Sequence, residues 1–368
     1  MSAPDVIVGW LQNDYGKLGR AGEAIAHSLA GSPAAGRVAY VEPFLPAPGE
    51  PQLGARNDRG LLVFSGSGSP PTVHHEVARG VLQLAELTDP ILLNFGVSEA
   101  NWWLHYEFAP VCSGTVLVAY DKLAQWDVMA SRRAVLERVR GQLIASSDVV
   151  VGLSEGSIDD VPDATYVGHG VDRHWHDRAT DSLPEPSDLA RVPRPRAVYV
   201  GALTMRFDVQ AVRDLSAAGV EVVLVGIGPT QEVLELAATD PHVHLLGERL
   251  PERTAAYLLH SDVGIVPHTD EPFTYSMEPH KAYNYAAAGL PTVTLNTAHA
   301  PALGPFLRAT RDRQAFVDGV LSAIASGRLS AEQTATARSF SWDRVAAAIL
   351  SEAAGTATAA IPALRPAA

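Results

Sequence analysis

The sequence predicts an α/β protein built from two doubly wound domains. Two separate series of short apolar runs alternate with helical patterns, and a stretch rich in proline and charge divides them. Runs that are apolar throughout are typical of strands buried on both faces, as in parallel sheets. A chain of 368 residues, 47% of them hydrophobic, is long enough for two domains of ordinary size.

The first series occupies the N-terminal half of the chain. Its predicted strands are the six apolar runs Val6–Trp10, Val38–Val41, Leu61–Phe64, Ile91–Asn94, Thr115–Ala119 and Val149–Gly152. Amphipathic patterns predict helices over residues 21–30, 73–87 and 132–146. Residues 1–176 therefore form the first predicted domain, and residues 177–196, rich in proline and charge, form a linker.

The second series opens at Ala197. Its predicted strands are the five runs Ala197–Val200, Val222–Val225, Val243–Leu246, Val263–Val266 and Thr292–Leu295. Helical patterns lie near Val209, Glu232 and Thr254, so residues 197–340 form the second predicted domain. Residues 341–368 form a final helix, capped by Ser341, and a tail. The alternation predicts two Rossmann-like domains that face each other across a cleft.

Charge and cysteine content limit the functions to consider. The net charge of −13 argues against a nucleic-acid partner, because nucleic-acid phosphates would be repelled. The single cysteine, Cys112, excludes an intrachain disulfide and is compatible with a reducing cytoplasm. The N-terminal stretch MSAPDVIVGWLQND lacks a basic region and its apolar run is too short for a signal or a membrane span. We therefore expect a cytoplasmic protein.

The stretch from Tyr275 to Thr294, YSMEPHKAYNYAAAGLPTVT, predicts an anion site. Pro279 suits the first turn of a helix, and Glu278 before it favours the positive helix end. The residues that then share one helix face are Lys281, Asn284 and Tyr285. Lys281 falls in the first turn, beside unpaired backbone N–H groups, which suits a diphosphate. The alternative is an ordinary helix–strand unit with a solvated lysine.

This stretch resembles the P-x-K-x-x-E-Y-x-A-x-G-x-P-V-V signature of GT-B glycosyltransferases, specifically the bacterial polysaccharide and teichuronic-acid type. The resemblance implies that Lys281 contacts the phosphates of a nucleoside diphosphate sugar. Asn284 stands where the family usually has a glutamate that holds the ribose. An amide can still bond a ribose hydroxyl, but it lacks the charge of a carboxylate acceptor.

The start of the second domain, AVYVGALTMRFD, resembles the family pattern Y-x-G-x-x-x-x-R-x-D, with matches at Gly201, Arg206 and Asp208. Arg206 is the candidate to neutralise the β-phosphate as it leaves, because a guanidinium makes paired bonds to phosphate oxygens. The alternative for Arg206 is a surface ion pair. The resemblance also implies further donor-site residues: Gly226 and Arg249 toward the base, His268 and Tyr275 toward the sugar, and Glu278 beside the helix start.

The first strand leads into a glycine-rich loop, QNDYGKLGRAGEAIA. The loop resembles the family's first loop, where acceptor and donor phosphate meet, and its spacing does not fit G-x-G-x-x-G. The predicted acceptor-side residues are Asp14, Tyr15, Gly16, Lys17 and Arg20. A flexible turn before an amphipathic helix is the alternative interpretation.

The fifth strand leads into VAYDKLAQWD, which resembles the family segment V-Y-D-C-x-D-D-W. Asp121 is the candidate general base, because a carboxylate at a strand end could take a proton from an acceptor hydroxyl. Ala124 and Gln125 replace the family's acidic pair, and His169 replaces the usual asparagine of its N-G-V-D element. An aspartate at this point is also a common helix cap.

Two further clusters of charged or metal-ligating residue types occur in the sequence. His169, His174 and His176 fit no common metal-ligand spacing, so no metal site is predicted. Four arginines on one predicted helix could contact an anionic membrane: Arg132, Arg133, Arg138 and Arg140. A solvated helix face explains the arginines more simply, because Glu137 interrupts them.

The sequence as a whole predicts a metal-independent glycosyltransferase. It would bind a nucleoside diphosphate sugar as co-substrate in the second domain and an acceptor in the first, with no other cofactor. The acceptor could be a small molecule, a glycan or a lipid-linked sugar, and the stereochemical outcome stays open. Two alternatives remain, a catalytically inactive homologue that acts as a partner protein and a sugar-nucleotide epimerase of the same fold.

Overall fold

The computed structural model describes residues 3–11, 15–16, 21–43, 45–46, 52–68 and 72–355. These residues divide into two compact units. The first unit consists of the described residues up to His169 together with those from Trp342 onward, and the second consists of Gly170–Ser341. Each unit is built around its own parallel sheet.

The first unit holds a sheet with nine strands within the described residues. In chain order the strands are β1 (Val6–Trp10), β2 (Val38–Val41), β3 (Leu45–Pro46), β4 (Gln52–Asp58), β5 (Leu61–Gly68), β6 (Ile91–Phe95), β7 (Gly114–Ala119), β8 (Val149–Gly152) and β9 (Thr165–Tyr166). Their spatial order is β3-β5-β2-β1-β6-β7-β8-β9, with β4 pairing antiparallel to β5. The remaining pairs are parallel.

Helices cover both faces of this sheet. They are α1 (Ala21–Ala30), α2 (Thr72–Leu84), α3 (Glu99–Phe108), α4 (Arg133–Ser146) and the short α5 (Glu155–Ile158). Along β1, Val6 and Val8 pack with Ile25 of α1 on one face, whereas Ile7 packs with Leu104 of α3 on the other. Successive strand residues point to opposite faces, so burial on both sides requires the continuous apolar run seen in the sequence.

The second unit holds six parallel strands. They are β10 (Arg196–Val200), β11 (Glu221–Val225), β12 (Val243–Gly247), β13 (Val263–Pro267), β14 (Thr292–Leu295) and β15 (Leu307–Thr310). Their spatial order is β12-β11-β10-β13-β14-β15, so the winding direction reverses between β10 and β13. In a doubly wound sheet such a reversal opens a crevice at the carboxyl ends of the strands, which is where ligands bind.

The helices of the second unit follow its strands. They are α6 (Val209–Ala217), α7 (Gln231–Thr239), α8 (Pro251–Leu259), α9 (Pro272–Tyr275), α10 (His280–Ala287), α11 (Arg313–Ser326) and α12 (Ala331–Arg338). The last helix of the described residues, α13 (Trp342–Ala353), belongs to the first unit, where Trp342 and Ile349 join the hydrophobic core beside α1.

The predicted fold class, an α/β chain with two Rossmann-like domains, is confirmed. The boundaries of the two units differ from the predicted domains. The first unit ends at His169 rather than at residue 176, and residues 177–196, predicted as a linker, belong to the second unit. That segment contains two 3₁₀ turns, Arg178–Ser182 and Leu189–Arg191, and Leu189 is fully buried in the core of the second unit. This proline-rich and charged segment is therefore a connection that packs against the second unit.

Candidate functional site

The loops at the reversal point of the second unit are joined by backbone contacts. Phe207, in the loop after β10, forms an isolated antiparallel bridge with His268, the residue that follows β13. The N–H of Thr269 donates to the carbonyl of Arg206 over 2.9 Å. The structure therefore holds Arg206 and His268, two of the residues predicted from sequence, on two neighbouring strand ends that flank the reversal point.

Two glycines let the backbones of these loops approach closely. Gly201 follows β10 with φ near +152°, and its N–H donates to the carbonyl of Val225 over 2.9 Å. A Cβ atom on Gly201 would lie 3.0 Å from Cε of Lys281. Gly226, after β11, packs against the backbone of Gly201 and has no room for a side chain. The predicted donor-site residues Gly201, Gly226 and Lys281 are therefore neighbours.

Lys281 lies in the first turn of α10, and its side chain turns toward β10. The Nζ atom is 4.9 Å from the ring centroid of Tyr199, a cation–π distance. One turn further along α10, the hydroxyl of Tyr285 accepts a 2.7 Å hydrogen bond from the N–H of Val200. Pro279 is the N-cap residue of this helix, so the predicted helix start holds to within one residue. The helix thus presents its lysine at the carboxyl end of the central strand.

His268 is buried and lies within electrostatic reach of both predicted cations. Burial, followed by the charges of Lys281 and Arg206, lowers the pKa of His268 well below its ordinary value. The imidazole is therefore neutral at physiological pH. Within the described part of the chain, its Nδ1 atom is buried and has no hydrogen-bond partner.

Asn296, directly after β14, contacts the same strand end and was not predicted from the sequence. Its Nδ2 donates to the carbonyl of His268 over 3.0 Å, and its backbone takes a left-handed φ of 56°. Its buried Oδ1 also has no hydrogen-bond partner among the described residues. Unpaired buried polar atoms are costly, so two of them beside two cations are typical of a site that a ligand or water completes. The only sequence signal for Asn296 was a polar residue at the end of a buried strand.

Arg206 lies against apolar side chains at one side of this cluster. Its guanidinium carbon is 5.7 Å from the ring centroid of Phe273, and Nη1 lies 3.4 Å from the sulfur of Met277. Asp208, which also matches the family pattern, caps α6 by accepting from the N–H of Ala211 over 2.9 Å.

Asn284 does not point with Lys281 toward β10. Its Oδ1 accepts from the N–H of Asp172 over 2.9 Å, and its Nδ2 donates to Oδ2 of Asp172 over 2.9 Å. His280 completes the arrangement, with Nε2 3.4 Å from Oδ1 of Asp172. Sequence reasoning gave Asp172 no role, because the contact joins residues 112 positions apart.

Three other predicted donor residues contact protein groups. Each nitrogen of the Arg249 guanidinium already donates: Nε to the hydroxyl of Tyr257, Nη1 to the carbonyl of Glu248 and Nη2 to Asp188. Tyr275 is the last residue of α9, and the guanidinium carbon of Arg311, which follows β15, is 4.0 Å from its ring centroid. Glu278 is buried and accepts a hydrogen bond from the hydroxyl of Tyr283.

In the first unit, Tyr15 is the best-defined residue of the predicted acceptor-side loop. Its hydroxyl donates to Asp58 over 2.5 Å and lies 2.6 Å from Nε2 of His27, and its N–H donates to Glu42 over 3.0 Å. Burial, followed by the hydrogen bond to Asp58, raises the pKa of Tyr15 above its ordinary value.

The rest of that loop is only partly described. The N–H of Gly16 donates to Glu23 of α1 over 2.9 Å. The other three predicted acceptor-side residues lie outside the described residues: Asp14, Lys17 and Arg20.

The candidate base Asp121 lies at the carboxyl end of β7 and is half-buried. It does not cap the following 3₁₀ turn, whose N-cap residue is Lys122. Lys122 is buried and pairs with Asp159 and with Asp160, the latter at 3.1 Å. The role of Asp121 as a general base stays a prediction.

The described residues contain neither a cluster of metal ligands nor a helix suited to span a membrane. Among the residues that the structure describes, no group of three or more His, Cys, Asp or Glu side chains is arranged to hold a metal ion. No helix in the described ranges has the length and apolar composition that crossing a bilayer requires. Three of the clustered arginines are paired with acids: Arg132 with Glu99, Arg133 with Asp127 and Arg140 with Asp160.

Comparison with solved structures gives the fold of the chain. An α,α-trehalose-phosphate synthase (UDP-forming) from Burkholderia xenovorans, in complex with glucose-6-phosphate, superposes with a TM-score of 0.70 at 11% identity, over 95% of this chain and 100% of that one. Anabaena Alr3699/HepE in complex with UDP-glucose superposes with a TM-score of 0.64 at 15% identity, over 95% and 99%. A UDP-N-acetylglucosamine 2-epimerase superposes with a TM-score of 0.50 at 12% identity, over 96% and 95%.

Sequence comparison is informative for the second unit. No curated protein is significantly similar to this chain. Residues 194–326 match the family model described as Glycosyl transferases group 1. These residues contain all six strands of the second sheet, β10 to β15, together with the Gly201 loop, Arg206, His268 and Lys281. The second unit therefore carries a Glycosyl transferases group 1 domain, and the prediction of a glycosyltransferase is confirmed at that level.

Proposed function

We propose that this protein transfers a sugar from a nucleoside diphosphate sugar to an acceptor hydroxyl, without a metal ion. One observation carries the proposal: Lys281 and Arg206 lie within electrostatic reach of the buried, neutral His268 at the reversal point of the second unit. Two cations and a polar lining at this position of a doubly wound sheet suit a diphosphate.

The reaction breaks the bond between the sugar and the β-phosphate, so negative charge grows on the leaving diphosphate. The ammonium of Lys281 supplies a compact positive charge, and the guanidinium of Arg206 supplies a planar set of donors. Gly201 contributes by lacking a side chain, which leaves its loop open to a phosphate oxygen beside Lys281. Because these two cations can stabilise the leaving group, the proposed reaction needs no divalent ion.

The neutral His268 and Asn296 extend the donor site toward the transferred sugar in this proposal. Their buried Nδ1 and Oδ1 atoms have no partner among the described residues and could bond sugar hydroxyls. A bound sugar would satisfy polar atoms that otherwise carry a desolvation cost.

The acceptor is proposed to bind the first unit. Asp121 is the candidate base, because an inverting transfer requires a group that removes the acceptor proton. A retaining transfer would need only assistance from the leaving diphosphate. The bacterial polysaccharide or teichuronic-acid type stays the finer proposal for the substrate class, on the strength of the signature around Lys281.

Two alternatives are each supported by a specific observation. Asn284, Ala124 and Gln125 replace acidic residues of the family pattern, which would suit a homologue that binds nucleotides without transferring sugar. The fold is also shared with a UDP-N-acetylglucosamine 2-epimerase. An epimerase would convert a nucleotide sugar with no acceptor present.

A thermal-shift experiment with UDP, GDP, dTDP and ADP tests the donor site. We compare the wild type with Lys281→Ala and with the control Arg213→Ala, which removes an exposed cation of α6. A nucleotide at about 100 times its Kd adds about 2.7 kcal/mol to the free energy of unfolding. We expect one nucleotide to stabilise the wild type and Arg213→Ala but not Lys281→Ala. If none stabilises the wild type at millimolar concentration, the donor site is refuted.

Once the nucleotide is identified, its sugar conjugates separate the three functions. A transferase releases the nucleoside diphosphate only when an acceptor is present, apart from slow hydrolysis. An epimerase changes the configuration of the sugar without an acceptor. Its product is still a nucleotide sugar, so no nucleoside diphosphate is released. A homologue without activity binds the conjugate and leaves it unchanged with every acceptor offered.

A further inference from the structure

The carboxylate of Asp172 is fixed in orientation by helix α10. Asn284 binds both the backbone N–H and the Oδ2 atom of Asp172, each over 2.9 Å. His280 approaches the other carboxylate oxygen, Oδ1, at 3.4 Å. Because one amide side chain holds both the main chain and the side chain of Asp172, the carboxylate cannot rotate without breaking a hydrogen bond.

This carboxylate stays ionised and keeps acceptor capacity. Burial raises the pKa of Asp172, but the contacts with His280, His174 and Asn284 outweigh it, so the pKa lies below its ordinary value. The recorded contacts use one acceptor position on each oxygen, whereas a carboxylate offers about four. The side chain is 30% exposed, so the remaining positions can be reached.

Helix α10 carries both Lys281 and the two residues that contact Asp172, His280 and Asn284. At 3.6 residues per turn, Asn284 lies about 40° from His280 and about 60° from Lys281 around the helix axis. Asn284 therefore sits between the residue that contacts Asp172 and the residue that reaches Gly201. Residues three positions apart on a helix have Cβ atoms about 5–6 Å apart. The residue that holds the Asp172 carboxylate and the lysine that reaches Gly201 are thus neighbours on α10.

We infer that Asp172 binds the ribose of the nucleotide, accepting hydrogen bonds from its neighbouring 2′- and 3′-hydroxyls while Lys281 binds the diphosphate. This inference rests on the proposed donor site. The ligand has an anionic group at one end and two adjacent hydroxyl donors at the other, which matches the ammonium and the carboxylate. Asn284 acts through Asp172 as a positioning residue, because both ends of its amide are occupied by that aspartate.

Calorimetric titration with ribose and dideoxyribose nucleotides tests the inference. UDP, GDP and ADP are titrated first, and the 2′,3′-dideoxy analogue of the one that binds is titrated next. The variants are Asp172→Asn, Asn284→Ala and the double variant, with Asp181→Asn as the control. Asp181 is another partly exposed acid of the second unit, paired with Arg338.

The wild type and Asp181→Asn should prefer the ribose nucleotide, because hydrogen bonds to a charged acceptor are strong. Asp172→Asn should weaken the ribose nucleotide about 10- to 100-fold and the dideoxy analogue less than about twofold. Asn284→Ala should reduce the preference in the wild-type background and add nothing in the Asp172→Asn background. If Asp172→Asn fails to fold, Asn284→Ala alone tests the inference. An unchanged preference of Asn284→Ala for the ribose nucleotide over its dideoxy analogue overturns it.

The titrations can refute the role of Asp172 without refuting the donor site. If the wild type binds a nucleotide through Lys281 and Asp172→Asn keeps the wild-type preference for ribose, the role of Asp172 is refuted and the donor site stands. If Asn284→Ala weakens binding equally with and without Asp172, Asn284 contacts the ligand itself and its positioning role is refuted. If the wild type binds none of the three nucleotides, the donor site falls and the inference with it.

Discussion

A Cβ atom on Gly226 would lie 1.6 Å from the carbonyl oxygen of Gly201. The two residues follow neighbouring strands, β11 and β10, and both face the reversal point of the second sheet. The clash would be with backbone, so a rotamer change cannot relieve it. The position of the Gly201 backbone beside Lys281 therefore depends on a glycine at residue 226, directly after the adjacent strand.

Gly226→Ala should displace the Gly201 loop and weaken the donor site. We expect a loss of about 1–3 kcal/mol in the free energy of unfolding, as for other overpacked sites, and a loss of stabilisation by the nucleotide. Denaturation and thermal shift measure the two effects. The control is Gly141→Ala on α4, where a Cβ would meet nothing within 4 Å and alanine favours the helix. Wild-type nucleotide binding by Gly226→Ala would contradict the assigned packing.

His268 should make the second unit less stable as the pH falls. Its pKa is lowered in the folded state, so below the unfolded pKa of about 6.5 the unfolded chain binds a proton that the folded chain excludes. Stability therefore rises with pH through this range and levels off above it. One such group accounts for at most about 1.4 kcal/mol between pH 7.5 and pH 5.5.

His268→Gln removes this titration and keeps a polar side chain. Urea denaturation of the wild type and the variant at pH 5.5, 6.5 and 7.5 gives the difference in their pH dependence. We expect the variant to lose less stability on acidification than the wild type. Parallel pH profiles would mean that His268 is not excluded from protonation in the folded protein.

The sheets were predictable because burial on both faces leaves a simple signature. The predicted bounds of Val6–Trp10, Val38–Val41, Val149–Gly152 and Thr292–Leu295 are those of the structure. The antiparallel strand β4 was missed, since its sequence QLGARND is largely exposed at the sheet edge and has no apolar run. Helix α3 was missed as well; its sequence EANWWLHYEF has no clear apolar stripe, and its start depends on the side-chain cap of Ser98.

The geometry of the candidate donor site was only partly predictable, for a related reason. Lys281, Arg206 and His268 could be named as candidates because they lie next to recognisable strands and helix ends. The bonds of Asn284 to Asp172 and of Arg249 to Asp188 join residues 112 and 61 positions apart, so local pattern carries no trace of them. Sequence reasoning treated both Asn284 and Arg249 as ligand contacts because it could not see these protein partners.

Glu221 should stabilise the second unit most strongly at mildly acidic pH. Its two oxygens accept from His242 at 2.8 Å and His244 at 2.6 Å. The hydrogen bond to Glu221 raises the pKa of His242, so its contribution is present below the unfolded value and lost as pH rises through the folded value. Although burial opposes it, bonding to the two histidines lowers the pKa of Glu221, so its contribution is lost as pH falls through that lowered value.

The change that tests this arrangement is Glu221→Gln, which keeps the shape and removes the charge. Its destabilisation should be larger near pH 6, between the two folded pKa values, than near pH 8. Chemical denaturation of both proteins at the two pH values gives the comparison. If Glu221→Gln destabilises the protein equally at pH 6 and at pH 8, the charge of Glu221 has no role in stability.

Arg249 should stabilise the fold of the second unit more than it contributes to nucleotide binding. Its guanidinium donates to Asp188 over 2.6 Å and to the hydroxyl of Tyr257 over 2.8 Å, and that hydroxyl donates to Asp188 over 2.9 Å. Both charged side chains are partly exposed, so we expect a coupling of about 0.5–1 kcal/mol in a double-mutant cycle of Arg249→Ala and Asp188→Ala. The affinity of Arg249→Ala for the nucleotide that binds the wild type should change by less than about twofold, since every guanidinium nitrogen is already engaged within the protein. A tenfold loss of affinity without coupling to Asp188 would instead assign Arg249 to the base, as the sequence alone predicted.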